Sequence, residues 1–425
     1  MAGNLAYVMK RQGNDVKLFI DDSDRKEDFE NMVPKVEDWR KELEWVGKEG
    51  LIVFDDIGYG KIQDELRLEG YSVFGGSKLG DKLETDRQYG QEIFEKNGIK
   101  IVPIKSFTDI SSAIEFIKEN KGAWVIKQNG AGSKSLNYVA HFDDSRDVVS
   151  LLENYKNNLK GQVRTITLQQ KISGVEIGVA RYFNGNDWVG PMEINIEHKK
   201  FFPGDIGPAT SEMGTIVWYD DNESNKLFTE TLGKLKNHLQ EINFKGDIDI
   251  NCIVNETGAY PLEATPRFGS PAIYLHEEIH LSPWAEFLKA VADGEQYDLK
   301  WKRGYGIVVL LTVPPFPYTK KLREMSPKGI NIYFDPSITQ EDFDNHIHFE
   351  GVALKEISGE KQYYISDYQG YILYVTSVED TVELARQNTE KIIKKIYIPK
   401  MFYRHDIGSG FINDTYQKLK DWGYL

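Results

Sequence analysis

The chain has 425 residues, 40% hydrophobic and 28% charged, an ordinary balance for a chain that buries large cores; at about 150 residues per domain it predicts roughly three domains. Its net charge of -14 argues against a general affinity for nucleic-acid backbone or anionic membrane, while leaving room for a local basic pocket that takes a phosphorylated ligand. The single cysteine, Cys252, excludes internal disulfides and a cysteine-based metal cluster, and with no apolar run of membrane-spanning length and no leader pattern a cytoplasmic protein is expected.

Val16–Ile20, Leu51–Phe54 and Tyr71–Phe74 are short apolar runs of parallel-strand type. The helical patterns VEDWRKELEWVGKEG and KIQDELRLEG separate them, each closing on Gly, which is βαβ spacing. The chain opens helix-first, whereas a doubly wound domain usually opens with a strand and a Gly-rich turn. The first strand and loop are therefore expected to be missing, giving a truncated Rossmann-like domain over 1–84.

A helix from Thr85 leads through IKIVPI to a second helix at ISSAIEFIKEN, the strand AWVIK, the polar loop QNGAGSKS and the strand LNYVAHF. A helix at 144–158 and strands at RTITLQQ and VEIGVARYF follow, then the Gly/Pro-punctuated loop FFPGDIGPATSEMG and a helix near 224–241. GDIDINCIV and AYPLEAT form a hairpin through the turn NETG. VPPFPY marks a boundary, since successive prolines fit neither helix nor central strand. The remainder reads as a separate α+β unit over 304–425, with strands at GVALKEI, QYYIS and YILYVTS and a helix at 379–396.

Three constellations carry chemistry. Lys127 ends a buried strand, a costly place for an ammonium without an anion, and Gly130, Gly132 and Lys134 follow in a loop whose backbone could approach phosphate. GAGSKS lacks the Walker A spacing, and taken alone a lysine snorkelling at a strand end is the better explanation of Lys127. LQQKISGVEIG joins two strands around Lys171 and places Glu176 just beyond, suited to an adenine edge and ribose hydroxyls or simply an exposed strand residue. On the hairpin, Asp249 and Glu263 can share a divalent cation through hard oxygens, and the Pro266 turn presents Arg267 for bidentate anion binding; the plainer alternative is a solvated hairpin. HEEIH (276–280) matches the zinc-protease pattern H-E-x-x-H, but Ser282–Pro283 interrupts the helix and no third ligand follows, so zinc is not expected.

The order of these pieces resembles the ATP-grasp ligases, and most closely the phosphoribosylamine–glycine ligase (glycinamide ribonucleotide synthetase) family. VFGGSKLGDKLETDRQYGQEIFEKNGI is similar to that family's entry into its ATP-grasp domain. EHKKFFPGDIGPATSEMG resembles its Gly-Asp-x-Gly-Pro-Asn-Thr-Gly-Gly-Met-Gly loop, LEATPRFGSPA its Glu-x-Asn-x-Arg-Phe-Gly-Asp-Pro-Glu signature, and YRHDIG its Tyr-Arg-x-Asp-Ile-Gly. The resemblance implies an α/β and α+β multidomain architecture. A truncated Rossmann-like pre-ATP-grasp domain (1–84) would precede an ATP-grasp domain (85–303) with a mobile lid at about 108–175, and a small α+β domain (304–425) would follow.

The resemblance also implies roles. Lys127, Lys134 and the Gly130–Gly132 loop would cover ATP phosphates; Gln169, Gln170, Lys171 and Ile172 would line adenine through their backbone; Glu176 would hold ribose. Glu263, Asp249 and Thr265 would bind Mg²⁺ or Mn²⁺. Arg267, Lys199 and Thr210 would act at the acyl phosphate, and Asp205, Gly207, Pro208, Met213 and Gly214 would contact substrate. The implied reaction joins glycine to phosphoribosylamine with ATP through glycyl phosphate in purine biosynthesis; the partners are small molecules, with no nucleic acid or membrane, and the chain would be a monomer or dimer. Departures concentrate in the substrate pocket: Thr265 replaces the family's Asn, Ser211–Glu212 replaces Gly-Gly, and Ser270 and Ala272 replace Asp and Glu. A ligase for another amino acid or amine, or a nucleotide-binding protein without turnover, are the alternatives these changes leave open.

Overall fold

The computed structural model describes residues 2–127, 136–159, 166–318, 326–357 and 359–425. The loop residues Gly130, Gly132 and Lys134 lie outside the described residues.

After α1 (Ala2–Arg11) the expected strand at Val16–Ile20 does not form; only an isolated bridge joins Leu18 to Lys35, and the parallel sheet here is a single pair. That pair is β1 (Leu51–Val53) and β2 (Ser72–Phe74), connected through α3 (Gly60–Leu68), while α2 (Leu43–Val46) is a single turn. Helices α4 (Lys78–Thr85) and α5 (Arg87–Lys96) are split at Asp86, which takes an extended backbone and caps α5 by accepting from Tyr89 N. The cap sets Arg87 in the first turn of α5.

Strands β3 (Ile104–Phe107), β4 (Trp124–Lys127), β5 (Tyr138–Val139) and β6 (Ile166–Gln170) form a four-stranded antiparallel sheet in the order β3-β6-β4-β5. The sheet thus begins at Ile104, before the expected lid boundary. Ile126, Ile166 and Leu168 pack on Ile117 of α6 (Ile110–Glu119) and Leu152 of α7 (Arg146–Leu159). By strand alternation, Lys127, Thr167 and Gln169 occupy the opposite face.

The second layer is one eight-stranded sheet ordered β13-β12-β7-β8-β11-β14-β19-β16. Its members are β7 (Val175–Asn184), β8 (Trp188–Glu197), β11 (Gly214–Asp220), β12 (Lys245–Asn255), β13 (Gly258–Thr265), β14 (Tyr305–Thr312), β16 (Ile347–Phe349) and β19 (Tyr371–Glu379). A short hairpin of β9 (Lys200–Phe202) and β10 (Ile206–Ala209) interrupts them, β15 (Tyr333–Phe334) pairs with β20 (Ile396–Tyr397), and β17 (Val352–Ile357) pairs with β18 (Glu360–Ile365). The hairpin expected around NETG is β12–β13.

Two expectations change. The segment 304–425 is not a separate sheet: β14, a run of buried apolar residues, pairs with β11 on one side and β19 on the other, so the prolines after it turn the chain without dividing the core. The helix near 224–241 breaks at Thr231 into α8 (Lys226–Glu230), a tight turn, and α9 (Lys236–Glu241). Among the described residues no helix is long and apolar enough to cross a membrane.

Period two gives the central sheet unlike faces. Ile177, Val179, Ile194, Ile196, Ile216, Ile248 and Ile250 form a core with Leu227, Phe228 and Leu239 from the α8–α9 region. Glu176, Glu193, Asn195, Glu197, Asp247, Asp249 and Asn251 alternate with them and share the other face. A row of carboxylates at the centre of a sheet is costly unless cations or donors meet it.

Candidate active site

Lys199, just past the end of β8, meets that row. Its Nζ stands 2.8 Å from Glu176 Oε1, 2.6 Å from Glu197 Oε2 and 3.8 Å from Glu263 Oε1. Burial alone would lower its pKa, but Glu197, Glu176 and Glu263 hold it well above the ordinary lysine value. Arg87 donates to the Leu262 carbonyl at 2.9 Å and lies 3.6 Å from Glu263. From the four-stranded sheet, Lys127 faces the same charges. Burial pushes its pKa down, Glu263 opposes this, and Arg87 and Lys199 push it further. Three cations thus surround one mouth between the two sheets, and an incoming polyanion would relieve the most strained of them.

The register assigns the oxygen donors. Asn251 is directly opposite Glu263, and Asp249 is opposite Thr265. Asn251 Nδ2 donates to Glu176 at 3.1 Å and to Glu197 at 2.5 Å, which fixes the amide and leaves its buried Oδ1 without a partner. Asp249 sits one row deeper, accepting from Asn195 Nδ2 at 3.2 Å. Asn251 therefore stands closer to Glu263 in the ladder than the expected Asp249.

Other expected site residues divide. Gln169 is buried with an unpartnered Nε2. The amides of Gln170 and Lys171 already donate to Pro103 and Ala123, and Lys171 Nζ donates to Ala140 O, which moves any amide contact with an adenine edge to Ile172. Thr210 donates its hydroxyl to the Lys199 carbonyl at 2.8 Å, so it positions Lys199's segment. Asp205 accepts from the buried Arg404 at 2.7 Å, and Asp406 accepts from Gly204 N, so the YRHDIG motif pins this loop. Gly207 and Pro208 lie on β10; a Cβ at Gly207, whose φ is +85°, would come 2.5 Å from Phe202. The Met213 side chain is fully buried in the apolar core, and a Cβ at Gly214 would meet the Val308 carbonyl at 2.5 Å.

Arg267 also departs from expectation. It donates to both oxygens of Glu84, at 3.1 and 2.9 Å, and lies 3.3 Å from Asp56. Its charge is committed to α4 and the loop after β1, so here it ties the hairpin to the N-terminal segment.

HEEIH is a packing motif. On α10 (Ala272–Ile279), His276 donates to Glu193 at 2.5 Å, and Glu277 takes His348 at 2.7 Å; Glu278 takes the Thr376 hydroxyl at 2.6 Å. His280, beyond the helix, lies 2.7 Å from the Tyr219 hydroxyl. These partners lie on different elements, and among the described residues no three His, Cys, Asp or Glu side chains gather to hold a metal.

Arg87, Glu193, Asn195, Glu197 and Asn251 were not singled out from sequence, and Glu212 only as a departure from the resembled family's glycine. A signal existed: EINIE (193–197) and DIDIN (247–251) each alternate Ile with polar residues, which marks strands with one apolar and one polar face.

Residues 85–273 match the family "Phosphoribosylglycinamide synthetase, ATP-grasp (A) domain". Over that segment the chain is similar to this ATP-grasp ligase family. Relatives named phosphoribosylamine–glycine ligase include those of Caldanaerobacter subterraneus subsp. tengcongensis, 24% identical over 82% of this chain and 82% of the relative, and of Fusobacterium nucleatum, 24% identical over 88% and 85%. The crystal structure of phosphoribosylamine–glycine ligase from Thermotoga maritima is similar with a TM-score of 0.67 and 21% identity, covering 95% of this chain and 97% of that one. The biotin carboxylase of Campylobacter jejuni, solved as a β-γ-ATP complex, is similar at a TM-score of 0.62 and 12% identity over 93% and 89%. The ATP-grasp fold is common to all of them.

Proposed function

We propose that the chain is an ATP-dependent carboxylate–amine ligase that joins glycine to phosphoribosylamine, the pair in its relatives' name. The convergence of Lys127, Lys199 and Arg87 on Glu263 carries this reading. The lysines would hold ATP phosphates, Ile172 the adenine edge, and Glu176 the ribose. The donor set suits a hard divalent cation: Glu263 supplies a carboxylate, Asn251 an orphaned amide oxygen and Thr265 a hydroxyl. Such an ion, Mg²⁺ or Mn²⁺, would screen the charge of the phosphates; a solved relative in fold, the 2-oxoglutarate carboxylase domain of Hydrogenobacter thermophilus, was crystallised with MgADP.

In the reaction, an oxygen of the glycine carboxylate attacks the γ-phosphorus and ADP leaves. The amine then attacks the carbonyl carbon of the acyl phosphate, and inorganic phosphate departs as the amine gives up a proton. The chain offers no nucleophile of its own and contributes position and charge. Because Glu212 stands where the resembled family has glycine, a ligase for a different amine acceptor is the second reading. ADP release separates them: the first requires Mg²⁺, glycine and phosphoribosylamine together, and the second responds to another amine in a panel. Absence of ADP with every pair would overturn both.

A further inference from the structure

The far end of β11 opens on a second cavity. The strand begins beside the phosphate mouth, where Thr215 is opposite Glu197, and ends at Asp220, opposite Met192. At about 3.3 Å per residue, Asp220 stands roughly 17 Å along the sheet from the Glu197 rung. A cavity of about 360 Å³ lies there, with Trp218, Asp220, Lys226, Tyr305, Tyr416 and Tyr424 in its lining. That volume falls within the range of small-molecule sites.

Register and an unusual turn build its aromatic wall. The β11–β14 ladder ends at Val217 opposite Gly306, which brings the next pair, Trp218 and Tyr305, together with ring centroids 5.6 Å apart. Phe411 packs against both at 5.7 and 6.0 Å, and edge-on to Tyr416 at 5.5 Å. Residues five apart on an α-helix point about 140° away from each other. Here the turn is widened, with Tyr416 N donating to Phe411 O five residues back, so both rings share one side. Such π turns recur at functional sites. This one keeps Phe411 in the core and delivers Tyr416, 39% exposed, to the cavity.

The polar groups select the ligand. Asp220 accepts from Asn222 N and from the Asn225 amide, both at 2.8 Å, so neutral donors fix its carboxylate and no ion pair engages it among the described residues. Arg303 is committed to the neighbouring Asp221 at 2.6 Å. Lys226 illustrates what these walls hold: its Nζ donates to Trp422 O at 2.7 Å and stands 4.3 Å from the centre of the Tyr424 ring. Trp218, Tyr305, Tyr416 and Asp220 offer the same pairing of aromatic rings with an oxygen acceptor. An anion would meet Asp220, and a neutral ring would leave that charge unanswered. A small, strongly hydrated cation would need more oxygen ligands than one carboxylate, whereas an alkylated ammonium sheds its water easily onto aromatic faces. We propose that this cavity binds a small organic cation of the alkylated-ammonium class, its charge against Asp220 and its alkyl groups on the Trp218, Tyr305 and Tyr416 rings. The site is separate from the phosphate mouth and does not depend on the ligase reading.

The test is calorimetric titration of the full chain with choline and with 3,3-dimethylbutan-1-ol, which has the same shape but a carbon in place of the charged nitrogen. Choline should bind saturably with a Kd of about 1 mM or tighter, and the alcohol at least about tenfold more weakly. Asp220→Asn should weaken choline by about tenfold and leave the alcohol within about twofold. Tyr416→Leu, at an exposed position where the fold is not at stake, should weaken choline by about fivefold. Urea unfolding of both variants checks that they fold. ADP release should stay within about twofold of the native chain in each, since neither residue touches the phosphate mouth, so this site and the ligase reading stand or fall separately. Absence of saturable choline binding, or equal binding of choline and the alcohol, would overturn the proposal. Choline binding unchanged in both folded variants would place the cation elsewhere on the chain and overturn it as well.

Discussion

Asn251 stands directly across the β12–β13 hairpin from Glu263, and its amide nitrogen is held by Glu176 and Glu197 while its oxygen is left open. The pair therefore presents two oxygens of different charge at one rung of the ladder. Replacing Glu263 by Gln should cut ADP release by about a hundredfold or more, the scale for losing a group that offsets reacting charge. Asn251→Leu should instead raise the Mg²⁺ concentration for half-maximal rate by about tenfold. A metal titration of the rate checks both, and a wild-type Mg²⁺ dependence in Asn251→Leu would return the second ligand position to Asp249.

His276 and Glu193 form a buried pair at 2.5 Å, with the histidine 1% and the glutamate 4% exposed by side chain. Burial would lower the pKa of His276, yet the adjacent Glu193 holds it above the ordinary value, so the fold favours the charged imidazolium. His276→Ala leaves Glu193 with only the Asn195 amide and no cation, and should cost about 3–5 kcal/mol in urea unfolding. His276→Gln retains a donor and should cost clearly less. Neither variant should change zinc content, since no zinc site is built around HEEIH.

How far the sequence reveals this site follows from what each residue depends on. Glu263 and Lys127 are visible because a charge at the end of an apolar run is unusual within a few residues. The Gly-Asp-x-Gly-Pro loop is visible because its backbone needs are local, as at Gly207. Apart from Asp249, the deeper polar row is not legible because its meaning lies in register: Asn195 is placed by Gly178 and Asp249, which are 17 and 54 positions away. Arg267 shows the converse. Its turn reads correctly, but its partner Glu84 lies 183 residues earlier, and only packing decides that a clamp is already filled.

Arg267 and Glu84 should behave as a coupled unit in stability. Both side chains are mostly buried, 18% and 21% exposed, and share two hydrogen bonds. Single alanine variants should each destabilise, and the double variant should cost less than their sum by about 1–3 kcal/mol. An additive cycle would show that the guanidinium spends its time elsewhere, as the phosphate-facing role requires.

His198 gives the fold an acid-sensitive point. Burial and the nearby Arg404 pull its pKa from 6.5 down to about 4, while Asp205 and Asp406 oppose the shift too weakly to cancel it. Its Nε2 accepts the Gly408 N–H at 3.3 Å, a bond that protonation would abolish. A base whose folded pKa is depressed binds fewer protons folded than unfolded, so its stability contribution is complete above pH 6.5 and is lost as pH falls toward about 4. The size is about 2 kcal/mol between pH 7 and pH 5, from a shift of roughly two to three units at 1.36 kcal/mol each. His198→Gln keeps an acceptor for Gly408 and cannot titrate, so urea unfolding at those two pH values should show the variant losing about 2 kcal/mol less than the native chain. Equal losses in both would place the acid sensitivity in the carboxylates of the sheet rather than in His198.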